Sequence, residues 1–475
     1  MSTSVSAPPA STPPAASTAL ASLALTMLLS SLGTSIANVG LPTFVHVFDA
    51  SFQSVQWIVL AYLLAVTAVV VTAGRLGDLV GRHRLVLVGI SVFTLGSALC
   101  AMAPSLGFLI AARTAQGLGA AVMMAMTMAL VGEAVTKERT GRAMGLLGTT
   151  SAIGTALGPT LGGMLIGSAG WQAIFLVNLP LGLVAAGLVW RFLPRDTVAG
   201  KARFDIPGSL LLAIALVAYS LAMTLGHGHF GVTNIALGGT AFLATIGFLV
   251  VESKAPSPLV RLSLFRDMRI SAGFAASSLA TSVAMTTLVV GPFYLSGALH
   301  LEPVRIGLVM STGPLVAALV GIPAGKAVDR FGAARMSLMG LIAMTLGALL
   351  LSVMAVRHGA LGYIVPLVTL TAGFATFQAA NNTLVVAGTD APLRGVVSGL
   401  LNLSRNLGLV TGASLMGAIF MRAAGVSSIE GASTSAVVIG THAAFLTAAA
   451  FLAFALVLTG WSNLSPASEA NSHLS

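Results

Sequence analysis

Two arginines, Arg113 and Arg405, lie inside long apolar runs, and no carboxylate lies at comparable depth. A cation at the centre of a spanning helix costs about 2.5 kcal/mol or more, so such an arginine is a functional candidate by default. The acids fall between the runs or at their ends; Glu133 is the most nearly embedded, and Asp78 follows a glycine turn. A group that carries a proton between two faces is normally a carboxylate whose pKa desolvation has raised. Asp78 and Glu133 are therefore the available carriers, and no acid stands at mid-depth. Gln378, Asn381 and Asn382 are amides within one run; they can hydrogen-bond a ligand, or bond helix to helix. No nucleophile, base and orienting acid are legible as a set, so catalysis is not expected. The chain has no Gly-x-x-x-x-Gly-Lys-[Ser/Thr], so no nucleotide is expected as a partner. Cys100 is the only cysteine, which rules out an intrachain disulfide and a cysteine zinc site. His227 and His229 form a His-x-His without further ligands. Neither metal nor cofactor is expected.

The elements that must hold these residues follow from composition. Of 475 residues, 56% are hydrophobic and 8% charged, with a mean hydropathy of +0.97. Soluble domains carry roughly 25% charged residues, and a third of that cannot cover a water-facing surface. Lipid takes the place of water. Backbone groups in lipid must pair within the segment or in a closed barrel, and the apolar runs are continuous rather than alternating, which selects helices. At about 20 residues per crossing, fourteen spans are legible, at 19–41, 55–75, 85–103, 107–131, 143–166, 171–191, 205–226, 233–252, 270–296, 305–325, 336–356, 361–386, 395–421 and 439–460. Residues 1–18 lack the positive region of a cleaved signal peptide and read as a disordered tail.

The net charge of +10 is an orientation signal rather than a nucleic-acid footprint. With the N-terminus in the cytoplasm, about eighteen Lys and Arg residues fall inside, and only Arg305, Arg357 and Arg422 fall outside. Both termini are then cytoplasmic and the chain is a multi-pass protein of the cell membrane. The sequence also repeats itself. Gly74, Asp78 and Gly81 recur at the same spacing as Gly325, Asp329 and Gly332, and Gly154 and Gly158 recur as Gly408 and Gly412. Duplicated bundles are expected at 19–191 and 270–460, with a two-helix insert and linkers at 192–269 and a second tail at 461–475.

The segment from Gly74 through Asp78 to Gly81, Arg82 and Arg84 resembles the loop signature of the major facilitator superfamily. Glycines let two helix ends approach, and Asp78 can pair with Arg82, so the cluster would act as a conformational switch, echoed by Gly325, Asp329 and Gly332. Arg113, with Gln116, Gly117 and Gly119, resembles the family's helix-4 motif, which implies a part in proton coupling. Gly154, Gly158, Pro159 and Gly162 resemble the helix-5 motif of its antiporters; glycines four apart line one packing face and proline favours a bend. Fourteen spans resemble the drug:proton antiporter branch, as do Asn38 in helix 1, Trp57 and Tyr62 in helix 2, and Trp171 to Pro180 opening helix 6. The resemblance implies an all-α integral membrane protein of the major facilitator fold, two six-helix bundles plus two central helices. It would export small amphipathic compounds by alternating access in exchange for protons. The branch usually carries an acid where this chain has Gly33. If Arg113 and Arg405 both face the cavity, neutral or anionic substrates are favoured over cations. A nutrient importer or uniporter and a non-transporting membrane sensor are the rival readings.

Overall fold

The computed structural model describes residues 13–134, 137–193, 206–224, 231–254, 262–387, 394–425 and 432–464, and almost all of them are helical. In chain order the helices are α1 (Pro13–Ser35), α2 (Leu41–Phe48), α3 (Phe52–Val80), α4 (Arg82–Ala101), α5 (Leu106–Ala134), α6 (Lys137–Ala169), α7 (Ala173–Leu176) and α8 (Asn178–Phe192). There follow α9 (Ile206–Thr224), α10 (Val232–Lys254), α11 (Met268–Phe293), α12 (Pro303–Phe331), α13 (Ala333–Ser352), α14 (Gly359–Asn382), α15 (Arg394–Thr411), α16 (Gly417–Ala424) and α17 (Thr434–Leu464). Among the described residues, twelve helical segments are long and apolar enough to cross a membrane. The two remaining runs of the sequence reading coincide with α6 and α9, the second with a shorter apolar stretch over Pro207–Tyr219.

Three boundaries differ from the apolar pattern. The first helix begins at Pro13, inside the segment expected as a tail, because proline at the opening of a helix gives up only an amide that has no partner there. The run expected to continue to residue 41 breaks after Ser35 into a 3-10 turn at Asn38–Gly40, and α2 restarts with Pro42 in its first turn. The run at 395–421 is α15 and α16 joined by a π-helical turn, Gly412–Met416. Hydropathy sees none of these, since side-chain polarity does not change at any of them.

Packing follows the repeat. α1 packs on α6 and α11 packs on α15; α4 packs on α5 and α13 packs on α14. α9 lies against α3 and α15, and α10 lies against α9. Between the two groups, α6 packs along α12. The connections from α3 to α4 and from α12 to α13 are single residues, Gly81 at φ 104° and Gly332 at φ 86°. Each donates its amide back into the preceding helix, Gly81 to Gly77 O at 3.0 Å and Gly332 to Val328 O at 2.9 Å. Only glycine adopts that backbone at low cost, which explains why the last glycine of each repeated motif stands where it does.

Candidate functional site

Arg113 sits in α5 and is fully enclosed. Its Nε donates to Ile58 O of α3 at 2.9 Å, and Nη1 donates to Gly33 O of α1 at 3.1 Å and to Gln116 Oε1. Gln116 Nε2 in turn donates to Ser97 Oγ of α4 at 2.6 Å, and Ser97 Oγ to Phe93 O at 2.8 Å. The guanidinium lies over the Tyr62 ring, 4.2 Å from its centroid, a cation–π arrangement. The Tyr62 hydroxyl donates to Ser30 O of α1 at 2.8 Å. One cation thus ties α1, α3, α4 and α5 together. Its Nη2 has no hydrogen-bond partner among the described residues, so one donor of a desolvated cation is left over.

Gly33 explains part of this arrangement. A Cβ at Gly33 would lie 3.0 Å from both Phe93 Cε2 and the Tyr62 hydroxyl. The space an acidic side chain would need holds Tyr62 instead, and the Gly33 carbonyl gives Arg113 a neutral acceptor. The cation is stabilised by dipoles and a π face rather than by a carboxylate.

The α6 glycines form a seam. Gly154 meets Leu28 O at 2.7 Å from a virtual Cβ and Gly158 meets the Ser35 side chain, both on α1, and Gly162 meets Ile36 O at 2.9 Å in the turn that follows α1. Ser31 and Ser151 hydroxyls share a hydrogen bond of 2.7 Å along the same seam. On its neighbouring face α6 meets the other group of helices. A Cβ at Gly163 would lie 2.6 Å from Pro303 O and 3.0 Å from Gly307 Cα, and one at Gly307 would lie 2.5 Å from Pro159 O. Pro159 therefore sits where α1 and α12 both press on one helix.

The remaining sequence candidates are distributed. Arg405 is half-buried on α15 and hydrogen-bonds Asn382 Oδ1 of α14. Gln378 shares the Asn382 face of α14, one turn away, and is half-buried. Asn381 is buried and donates to Gly273 O of α11 at 3.1 Å, a helix-to-helix bond. Asn38 turns its amide back onto Thr34 O and Ser35 O at 3.1 and 3.2 Å, which caps the break after α1. Trp57 is half-buried on α3. Arg82 donates to Ala129 O of α5 at 3.4 Å, Asp329 is exposed, and among the described residues no atom lies within 4 Å of a Cβ built at Gly74, Gly325 or Gly332. The side chains of Asp78 and Glu133, and residues 227 and 229, lie outside the described residues. The structure thus brings Arg113 and Tyr62 into one cluster, and Arg405 with Asn382 into another. Arg113 is enclosed, whereas Arg405 is only half-buried.

Sequence reading missed the roles of Gln116 and Ser97 around Arg113, and of Gln56. Gln56 lies in the first turns of α3, and its Nε2 donates to Ala413 O in the π-helical turn at 3.0 Å. Spacing offered one available signal, since Gln116 stands three residues beyond Arg113 on the same helix face.

Among the described residues, the chain is a helical membrane scaffold with an internal repeat and two polar clusters, around Arg113 and around Arg405. The Major Facilitator Superfamily model matches residues 23–413, and the chain belongs to that family. It is 31% identical over 434 residues to the riboflavin transporter RibZ of Clostridioides difficile, covering 91% of this chain and 94% of that protein. It is 33% identical over 392 residues to the multidrug resistance protein Stp of Mycobacterium tuberculosis, covering 82% of this chain and 73% of that protein. Among solved structures, a bacterial homologue of the human lysosomal transporter Spinster, inward-facing and unoccupied, superposes with a TM-score of 0.68 at 14% identity, covering 95% of this chain and 98% of that one. That likeness establishes the major facilitator fold in a multi-pass membrane protein.

Proposed function

We propose that the protein is a secondary exporter of small amphipathic compounds, working by alternating access and driven by inward proton flow across the cell membrane. Two units, 19–191 and 270–460, would rock against each other, with α9 and α10 from 192–269 as an inserted pair that completes fourteen crossings. The basic loops would face the cytoplasm together with both termini. The observation that carries this reading is the Gly154–Gly158–Pro159–Gly162 seam, wedged between α1 of its own group and α12 of the other. A helix with an internal proline, packed backbone to backbone on both sides, can transmit motion of one unit to the other. Relatives named for multidrug resistance and for riboflavin are in keeping with a small organic substrate.

Coupling would run through the Arg113 cluster, whose surplus donor and neutral acceptors suit a site that responds to a nearby charge, with Glu133 and Asp78 as proton carriers. Arg405, with Asn382 and Gln378, would line the substrate path and favour neutral or anionic compounds over lipophilic cations. The riboflavin relative keeps an importer or uniporter in view. Purified protein in proteoliposomes, given an imposed pH gradient and a panel of cationic, neutral and anionic compounds including riboflavin, separates these readings. Gradient-driven movement of neutral or anionic members is expected; transport indifferent to every gradient direction removes the antiporter assignment. Loss of coupled flux in Glu133→Gln, with substrate binding kept, identifies the carrier.

A further inference from the structure

The repeat makes two contacts at the end opposite the basic loops equivalent, and they are built differently. The offset that carries Gly81 onto Gly332 carries Phe52 onto Pro303 and Gln56 onto Gly307. The offset that carries Gly158 onto Gly412 carries Pro159 onto Ala413 and Gly163 onto Gly417. One seam between the two groups of helices is therefore Gly163 against Gly307, with Gly307 close to Pro159 O. The other is Gly417 against Gln56, where a Cβ on Gly417 would fall on the Gln56 amide. The side chain that Gly307 lacks is present at Gln56, and it donates to Ala413 O, the counterpart of Pro159 O.

The helices differ in the same way. On the glycine seam, Pro159 leaves one carbonyl of α6 without its amide. On the glutamine seam the helix passes through the π-helical turn Gly412–Met416, which likewise departs from the α-helical ladder, and there Ala413 O accepts from Gln56. Around Gln56, Phe52 packs edge-on against Phe293 with centroids 4.6 Å apart, and Phe420 lies 5.4 Å from Phe52. One group opposes closure: Ser414 Oγ is buried with no hydrogen-bond partner among the described residues, and a buried orphan hydroxyl is unfavourable relative to a hydrated one.

We propose that Gln56 is a latch. The Gly163–Gly307 seam acts as the hinge at this end of the protein, and the Gln56–Ala413 bond with the Phe52, Phe293 and Phe420 cluster holds the opposite seam shut until transport requires it to open. The buried Ser414 hydroxyl biases the latch towards release, so that the closed and open states stay close in free energy. This rests on alternating access as proposed above.

The test places spin labels at Val47→Cys and Val353→Cys, exposed positions of the two groups at the sealed end, in a Cys100→Ala background. Pulsed electron resonance in lipid nanodiscs then reads the distance distribution. The parent protein is expected to show a short and a long population. Gln56→Leu, which keeps bulk and removes the donor, should move the ratio roughly three- to tenfold towards the long distance, as expected for one hydrogen bond. Gly417→Ala, which pushes the Gln56 amide aside and leaves residue 56 intact, should move it the same way; Ser414→Ala should move it towards the short one. If Gln56→Leu does not fold, Gly417→Ala decides. A two-population parent whose ratio is unchanged in these variants overturns the latch alone. A parent with one distance under every pH gradient and substrate overturns alternating access, and the latch with it.

Discussion

The two halves of the molecule share one packing plan and spend their polar residues in different places. In the N-terminal half, a Cβ at Gly96 would lie 2.8 Å from the Gln116 amide nitrogen; in the C-terminal half, one at Gly347 would lie 2.6 Å from that of Leu370. These glycines are equivalent, so Gln116 corresponds to Leu370, Arg113 to Leu367 and Ser97 to Ala348. The C-terminal set is apolar and buried, at 3% exposure or less. The same helix pairing therefore forms without arginine, glutamine or serine at these three positions. Replacing a buried ionic group by well-packed apolar residues is often neutral or stabilising. The equivalent helix pairing in the C-terminal half does without an Arg113 cluster. In the other direction, Arg405 stands where the N-terminal half has Ser151, whose hydroxyl shares a hydrogen bond with that of Ser31. Arg113 and Arg405 thus stand within apolar runs of different halves, at positions that the repeat does not superpose.

The strongest way to break this comparison is to write the C-terminal arrangement into the N-terminal half. Arg113→Leu with Gln116→Leu and Ser97→Ala should abolish gradient-driven transport, at least a hundredfold in proteoliposome flux. The thermal unfolding midpoint in detergent should stay level or rise. A fall of many degrees would make the cluster a structural tie and remove the argument.

The turns test where the halves agree. Gly81→Ala and Gly332→Ala both force a side chain into a backbone conformation reserved for glycine. Each should destabilise by about 1–3 kcal/mol, and by similar amounts, as lowered unfolding midpoints. A large difference between the two would show that the loop copies have diverged in structure.

Arg405→Ser writes the Ser151 solution into the C-terminal half. Flux of an anionic substrate should fall about fivefold relative to a neutral one, a difference of about 1 kcal/mol, with the fold intact. Equal loss for both classes would take Arg405 out of substrate selection. The smallest effect is expected for Tyr62→Phe, which keeps the ring under the guanidinium and loses the bond to Ser30 O. A loss of about 0.5–1.5 kcal/mol in stability, with transport kept, would assign the hydroxyl to bundle packing and the ring to the cation.

Much of the scaffold was legible before any coordinates. The apolar runs located helices throughout, because lipid demands continuous apolar length and nothing else in the chain competes with that signal. Gly81 and Gly332 could be read as turns because glycine at a helix end has few other reasons to recur at a fixed offset. Helix breaks were not legible. The 3-10 turn at Asn38–Gly40 and the π-helical turn at Gly412–Met416 change backbone hydrogen bonding without changing hydropathy. Arg113 was legible as an anomaly; its partners were not, since two of its acceptors are the backbone carbonyls of Ile58 and Gly33, which any residue supplies.

The sequence by itself determined that this is a helical membrane protein built twice over, because burial in lipid and duplication both leave marks in residue type and spacing. Only the tertiary structure decided which glycines touch α1 and which touch the other half, and that Arg113 is enclosed while Arg405 is half-buried. It also decided that Gln56 bridges to Ala413. Those outcomes depend on which helix faces meet, and a helix face acquires its neighbour only when the whole bundle closes.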